Sequence, residues 1–187
     1  MRHLLILADG IDAFNRRVAG IARWALLANA LVITANALAR KFFSIAYPSA
    51  FDLQWHFFAA VVMLMAPYAL QRDEHVRIDI LAGRLGRRGL AWLDITGTML
   101  FLIPVCILLV WASWPGFVGA LTGLETRANR DSTSDIPAWI MKGLILMGFL
   151  LLALQGVAES IRCVAHLKGN TPRPEHRSLL SEGDRDV

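Results

Sequence analysis

Cysteine and charge are both scarce in this chain of 187 residues. The two cysteines, Cys106 and Cys163, lie in separate apolar stretches, so we expect neither a disulfide framework nor a cysteine metal cluster. Charged residues make up 18% of the sequence and hydrophobic residues 56%, a balance too apolar for an ordinary soluble domain. The charges cluster between long apolar runs, which is the distribution typical of a multi-pass membrane protein.

Motifs for catalysis and metal binding are missing as well. The sequence has no C-x-x-C, no H-x-x-E-H-like spacing and no serine elbow. Its five histidines do not pair at a common depth inside the apolar runs, as bis-histidine haem would require. We therefore expect no enzyme activity, no metal and no cofactor.

Four apolar runs are long enough to cross a bilayer. A membrane helix needs about 20 apolar residues for a hydrocarbon core of roughly 30 Å. The runs lie at about 18–39, 50–70, 91–114 and 137–165. The sequence thus predicts an all-α membrane protein with one four-span membrane domain at 18–166.

Two other stretches have the pattern of amphipathic helices that lie on a membrane surface. The N-terminal stretch 1–17 carries an apolar stripe at alternating steps of three and four. The mid-chain stretch 76–90 has an apolar stripe beside an arginine stripe, which favours contact with phosphate headgroups. The C-terminal stretch 167–187 is rich in charge and contains two prolines, so we expect it to be a disordered tail.

Lysine and arginine are distributed unequally between the two sides of the predicted spans. Fourteen belong to the side with both termini and the connection between spans two and three, and five to the other side. The positive-inside rule therefore predicts that both termini, and the tail, are cytoplasmic.

Polar residues near the spans are candidate contacts. Asn29 and Asn36 are seven apart, share one helical face, and should face protein rather than lipid. The segment from Asp52 to His56 concentrates polar and aromatic groups in about one and a half turns. It either fills a belt at headgroup level or contacts a partner subunit.

The depth of the remaining polar groups argues against a solute path. The mid-depth regions around Ala30, Met63, Ile103 and Leu150 are almost wholly apolar, so the chain alone should not line such a path. Near the end of span four, Glu159 and Arg162 are three apart and can pair, with Gln155 one turn earlier.

The second span also carries a family resemblance. It opens with Asp52-Leu53-Gln54-Trp55, closes with Tyr68-Ala69-Leu70, and is followed by Arg72 and His75-Val76-Arg77-Ile78-Asp79. Together with four spans and both ends inside, these elements resemble the small membrane subunit of TRAP (tripartite ATP-independent periplasmic) transporters. The stretch from Glu125 to Gln155, with Ile136-Pro137-Ala138-Trp139, is similar to the mannitol/chloroaromatic branch. The resemblance covers about residues 15 to 166.

The resemblance implies a division of labour in a bacterial inner membrane. A large membrane subunit carries the substrate and sodium sites and moves as an elevator, and a periplasmic binding protein delivers an organic acid. The small subunit has no catalytic role and braces the stationary scaffold of the large one. Because the solute contacts lie in other chains, this sequence does not specify the substrate.

Three sets of candidate site residues follow. Contact with the partner subunit is expected at Asn29, Asn36, Asp52, Gln54, Trp55, His56, His75, Arg77 and Asp79. Anionic phospholipid headgroups are expected at Arg77, Arg84, Arg87 and Arg88. Docking of the periplasmic protein is expected at Arg40, Lys41, Glu125, Arg127 and Arg130.

Two functions of other classes remain open from sequence. One is a membrane-anchor subunit of a redox complex that binds haem or quinone at the bundle, which a Soret absorbance band would reveal. The other is a small exporter that transports a solute without any partner.

Overall fold

The structure, a computed structural model, describes residues 2–45, 47–72, 89, 91–123 and 136–168. These residues form four long helices: α1 (Arg2–Phe43), α2 (Pro48–Gln71), α3 (Ala91–Thr122) and α4 (Ala138–Leu167). The same residues contain no β-strand. Each helix is long and apolar enough to cross a membrane, which confirms the predicted helical class and its four spans.

Helix α1 joins two stretches that the sequence assigned to different elements. The predicted surface helix 1–17 and the first span form one helix of 42 residues, with no break at the boundary between them. At 1.5 Å per residue, such a helix is about 60 Å long, roughly twice the thickness of a bilayer core. The other predicted surface helix, 76–90, lies outside the described residues except for residue 89, as does the tail beyond 168.

A short connection reverses the chain between α1 and α2. Ser44 has a φ of 55°, a left-handed conformation that ends α1 abruptly. Tyr47 then precedes Pro48 in the first turn of α2, where the fixed φ of proline suits a helix start and its missing N–H costs no hydrogen bond. Helices α1 and α2 are therefore antiparallel neighbours.

Helix α4 is the centre of the packing. It contacts all three other helices, and α1 and α2 also contact each other. The Thr98–Thr122 part of α3, by contrast, packs on α4 alone among the described helices. We call the end with the N-terminal half of α1 and the last turns of α4 the termini end, and the end with the 44–47 connection the loop end.

Two glycines allow α4 to approach its neighbours closely. A Cβ on Gly148 would come within 2.7 Å of the Cβ of Met63 and 3.0 Å of its backbone oxygen, so α2 and α4 almost touch there. A Cβ on Gly156 would lie 2.8 Å from Leu102 and 3.0 Å from Thr98. Thr98 and Leu102 are the first and last residues of a π-helical segment, which interrupts α3 where it crosses α4.

The buried face of α1 consists of small and polar residues. Positions seven apart are all buried along this helix, namely Ala8, Asn15, Ala22, Asn29 and Asn36. The apolar stripe of the N-terminal stretch points outward instead, with Leu7 61% and Phe14 55% exposed. This arrangement is expected in a bilayer, because small and polar residues bring membrane helices together and large apolar ones face lipid.

Candidate functional site

A group of polar side chains joins α1 to α4 at the termini end. We call this group the polar cluster; it consists of Asp9, Asp12, Asn15, Gln155, Glu159 and Arg162. Its members are 140 or more positions apart across the two helices, so the contacts fix the relative position of α1 and α4.

Gln155 lies at the centre of the polar cluster and is fully buried. Its Oε1 accepts a hydrogen bond from Asn15 Nδ2 at 2.6 Å, and its Nε2 donates one to Asp12 Oδ1 at 2.9 Å. A buried amide without partners would destabilise the bundle, so these two bonds allow glutamine at this depth. They also set the register of α1 against α4.

Arg162 supplies the positive charge of the polar cluster. Its guanidinium donates to Asp12 Oδ2, lies 3.4 Å from Asp9 Oδ1 and lies 3.8 Å from Glu159 Oε2. The predicted pairing of Glu159 with Arg162 is thus confirmed. Since Asp12 and Arg162 are largely buried, each charge is compensated by the other, and neither is left available for a solute.

Four predicted interface residues lie near the loop end and in the middle of the bundle. Asn29, Asn36, Asp52 and His56 are only 9%, 8%, 7% and 6% exposed. Each carries a buried polar atom without a hydrogen-bond partner among the described residues: Asn29 Oδ1, Asn36 Oδ1, Asp52 Oδ2 and His56 Nε2. We call these four residues the unpartnered row.

In the neutral form of His56, the contact with Asp52 decides which ring nitrogen carries the proton. Its Nδ1 lies 2.7 Å from the backbone oxygen of Asp52, which can only accept a hydrogen bond. Nδ1 therefore carries the proton and donates it to that oxygen. Nε2 is left buried, with a lone pair and no partner in the described part of the chain.

Burial of the unpartnered row changes which residues a second subunit can touch. Asn29 and Asn36 face protein as predicted, but that protein is their own chain. Of the predicted interface residues at the start of α2, Gln54 is half-buried and Trp55 is 54% exposed. The Trp55 ring is held edge-on to Phe58, with ring centroids 6.2 Å apart.

The other predicted site residues divide between exposed and undescribed positions. Arg40 and Lys41 are exposed in the last turn of α1, and the Lys41 ammonium lies 5.8 Å from the Phe42 ring centroid. The remaining ones lie outside the described residues: His75, Arg77, Asp79, Arg84, Arg87, Arg88, Glu125, Arg127 and Arg130.

The turn out of α2 is fixed by two residues of the family resemblance. Arg72 donates from Nε to the Tyr68 hydroxyl at 2.8 Å, and its guanidinium lies 5.3 Å from the Tyr68 ring centroid. This combined hydrogen bond and cation–π contact stabilises the last turn of α2.

The three α1 members of the polar cluster, Asp9, Asp12 and Asn15, were missed as site residues. The prediction for the N-terminal stretch rested on its apolar stripe, whereas the buried face of α1 consists of small and polar residues. The signal that marks it is the seven-residue repeat of Ala8, Asn15, Ala22, Asn29 and Asn36.

The bonds of the polar cluster join helix α1 to helix α4. Among the residues that the structure describes, no group of three or more His, Cys, Asp or Glu side chains is placed to hold a metal ion. The three carboxylates of the polar cluster, Asp9, Asp12 and Glu159, all lie around the guanidinium of Arg162.

Comparison with known proteins identifies a family that the chain matches. The family model described as "Tripartite ATP-independent periplasmic transporters, DctQ component" matches residues 29–166, more than half of the chain. No curated protein and no solved structure matches. The matched range starts within α1 and ends near the end of α4, so Asp12 and Asn15 precede it.

Proposed function

The chain belongs to the DctQ component family of the tripartite ATP-independent periplasmic transporters, and from this premise we propose that it braces the scaffold of a large elevator-type subunit. As the small permease subunit, it has no catalytic role. The large subunit carries out sodium-coupled uptake of an organic acid delivered by a periplasmic binding protein. Both termini are cytoplasmic in this proposal, and the loop end faces the periplasm of a bacterial inner membrane.

The observation that carries the proposal is the closed polar cluster between α1 and α4. Its charges are paired within the chain, and α2 approaches α4 to near backbone contact at Gly148. Such contacts favour one fixed arrangement of helices over the sliding that a transport domain needs. A brace must resist motion, and this bundle has the bonds to do so.

We place the contact with the large subunit at the start of α2, around Gln54 and Trp55. Trp55 has a large apolar ring that is about half exposed, as expected of a tryptophan that anchors a protein interface. The buried unpartnered row supports that surface from inside. His75, Arg77 and Asp79 extend the same contact on the cytoplasmic side.

In this proposal, charged residues make contacts at both membrane surfaces. Arg77, Arg84, Arg87 and Arg88 bind anionic headgroups at the cytoplasmic surface. Arg40 and Lys41, with Glu125, Arg127 and Arg130, meet the periplasmic binding protein. We also assign the chain to the mannitol/chloroaromatic branch, on the Ile136-Pro137-Ala138-Trp139 stretch.

Substitution of Trp55 tests the interface. Trp55→Ala should reduce copurification of the large subunit about tenfold, because interface tryptophans contribute strongly to binding. Trp111→Ala is the matched control, since Trp111 is 79% exposed on α3. Equal loss in both variants, or none in either, would place the contact elsewhere.

The cytoplasmic contact has its own test. Arg77→Ala and Asp79→Ala should each lower complex assembly or uptake while the solute affinity of the periplasmic protein stays unchanged. Normal copurification of the large subunit together with normal uptake in both variants would contradict the assignment.

Reconstitution tests the division of labour. Liposomes with both membrane subunits should accumulate an organic acid when the binding protein and a sodium gradient are supplied. Liposomes with this chain alone should accumulate none. Accumulation by the solitary chain would overturn the proposal. The family match does not favour the redox-anchor alternative, and an absorbance spectrum of the purified chain without a Soret band would be consistent with that.

A further inference from the structure

A cleft runs along α4 between α2 and α3, in the half of the bundle nearer the termini end. Helix α2 and the Thr98–Thr122 part of α3 both pack on α4, but they do not pack on each other. The space between them has a volume of about 490 Å³ and is lined by side chains of α3 and α4 and by Leu70 of α2. Phe101 and Val105 line it and are each more than half exposed, so the cleft opens to the side of the bundle.

The length of the cleft matches one leaflet of a bilayer. Its lining extends from Leu93 to Cys106 along α3 and from Phe149 to Glu159 along α4. At 1.5 Å per residue, these stretches are roughly 20 Å and 15 Å long. Half of a hydrocarbon core of about 30 Å is roughly 15 Å. A molecule as long as the cleft therefore reaches from the headgroup region to the middle of the bilayer.

The two ends of the cleft differ in polarity. Its charged lining residues are Asp94, in the first turn of α3, and Glu159, near the end of α4, so both carboxylates lie at the termini end. No lysine or arginine is among the described residues that line it. Farther from that end, beside the buried Cys106, the lining is apolar: Phe101, Leu102, Val105, Phe149 and Leu152.

The interruption of α3 also lies at the cleft. Three residues of the π-helical segment line it, namely Thr98, Phe101 and Leu102. Single π-turns are rare within α-helices and occur frequently at functional sites. The position of this segment therefore agrees with a binding role for the cleft.

Size and charge together indicate the class of molecule that fits. A protein helix is too wide for this space, since about 15 Å of helix with its side chains occupies roughly 1,200 Å³. An acyl chain fits the apolar part. At the surface end, the carboxylates of Asp94 and Glu159 attract an ammonium group and repel a headgroup of net negative charge. Phosphatidylethanolamine carries both an acyl chain and an ammonium group.

We propose that this cleft binds one phosphatidylethanolamine molecule from the leaflet at the termini end. Its ammonium group lies at Asp94 and Glu159, and one acyl chain lies along Phe101, Val105 and Leu152. The lipid fills the space between α2 and α3, which have no direct packing there. This site differs in its headgroup preference from the arginines after α2, where anionic lipids are expected.

Two glycines of α3 provide a matched test of the cleft. A Cβ added at Gly97 or at Gly116 would meet no atom within 4 Å, but Gly97 lines the cleft and Gly116 does not. The transporter complex would be delipidated in mild detergent and titrated with phosphatidylethanolamine, and bound lipid counted by native mass spectrometry. Gly97→Phe should weaken retention of one lipid about tenfold, and Gly116→Phe should leave it within about twofold. Both variants should keep the large subunit.

The headgroup has its own test, made on the lipid that Gly97→Phe removes. The unchanged complex should bind phosphatidylethanolamine there about fivefold more tightly than phosphatidylglycerol, and Asp94→Asn should abolish this preference. Asp9→Asn is the control, because Asp9 is a carboxylate of the polar cluster that does not line the cleft. It should keep the preference.

Three outcomes would overturn the proposal. The first is equal lipid retention in the two glycine variants. The second is equal affinity of the unchanged complex for the two lipids, or the same preference with and without the Asp94 carboxylate. The third is loss of the large subunit instead of lipid in Gly97→Phe, which would assign the cleft to a protein contact.

Discussion

The two ends of the bundle differ in the hydrogen bonding of their buried polar side chains. At the termini end, Asp12, Gln155 and Arg162 bond to one another across α1 and α4. At the loop end, Asp52 and His56 on α2 leave buried polar atoms without partners in the described chain. Asn15 Oδ1 at the termini end also lacks a partner among the described residues, so the two ends differ in the bonds that join α1 to α4 and not in complete pairing.

The difference follows from the helices that meet at each end. Long side chains of α4, glutamine and arginine, reach across to α1 at the termini end. At the loop end, α1 and α2 bring amides, a carboxylate and an imidazole whose outer atoms have no complementary group within the described residues. We conclude that bonds between α1 and α4 hold the termini end together, although Asn15 Oδ1 and Gln71 Oε1 there also lack a partner among the described residues.

The largest expected effect comes from breaking the charge pairing of the polar cluster. Arg162→Leu leaves the largely buried carboxylate of Asp12 without its cation, and we expect about 3 kcal/mol of lost stability. Unfolding in mixed micelles, followed by far-ultraviolet circular dichroism, measures the change. Arg23→Leu is the control, because Arg23 is exposed on α1. Similar stabilities for the two variants would show that the cluster does not hold the termini end.

Replacing the central amide should cost less. Gln155→Leu removes the partners of Asn15 Nδ2 and Asp12 Oδ1, while Asp12 keeps its bond to Arg162. We expect a loss of about 2 kcal/mol in the same assay. A double variant with Arg162→Leu should lose less than the sum of the two, since both act on Asp12. Simple additivity would argue against a connected cluster.

The close contact between α2 and α4 can be tested through Gly148. In Gly148→Ala the new Cβ meets Met63 backbone and side chain, so α2 and α4 must separate at a cost of about 1–2 kcal/mol. Gly10→Ala is the control, because a Cβ added at Gly10 would meet no atom within 4 Å and alanine favours helix. The control should unfold no earlier than the unchanged chain. Equal behaviour of both variants would contradict the close approach.

The smallest expected effect is the sharpest comparison of the two ends. Asn15 and Asn29 lie on the same face of α1 and each has an unpartnered Oδ1, but the Nδ2 of Asn15 also donates a hydrogen bond to Gln155. Asn15→Leu should lose about 1 kcal/mol, whereas Asn29→Leu should change stability by no more than about 0.5 kcal/mol. Equal losses at the two positions would mean that Asn29 also has a partner.

The sequence predicted the spans because bilayer thickness sets the length of an apolar run. It also predicted the Glu159–Arg162 pair, since residues three apart on a helix are neighbours. It did not predict that Asp12 bonds to Gln155, because 143 positions separate them and their meeting depends on the register of two helices. The inward face of the N-terminal part of α1 was missed for a related reason: in a bilayer, the apolar stripe does not mark the core.

The predicted interface shows the same limit from the other side. Polarity correctly identified Asn29 and Asn36 as facing protein, but it could not say whose protein. Only packing shows that they are enclosed by their own chain, while Trp55 remains outside. Composition reports that a residue avoids lipid, and three-dimensional structure reports what it touches instead.

The π-helical segment at Thr98–Leu102 has a consequence for the rest of α3. A π-turn accommodates one more residue than an α-turn, so it behaves as a one-residue insertion that rotates all later positions by about 100°. The directions in which Trp111 and Trp114 point around the axis of α3 therefore depend on five residues about three turns earlier. Deleting one residue there would rotate the tryptophan-bearing side of α3 by about 100° relative to α4, while the composition of the helix stayed nearly the same.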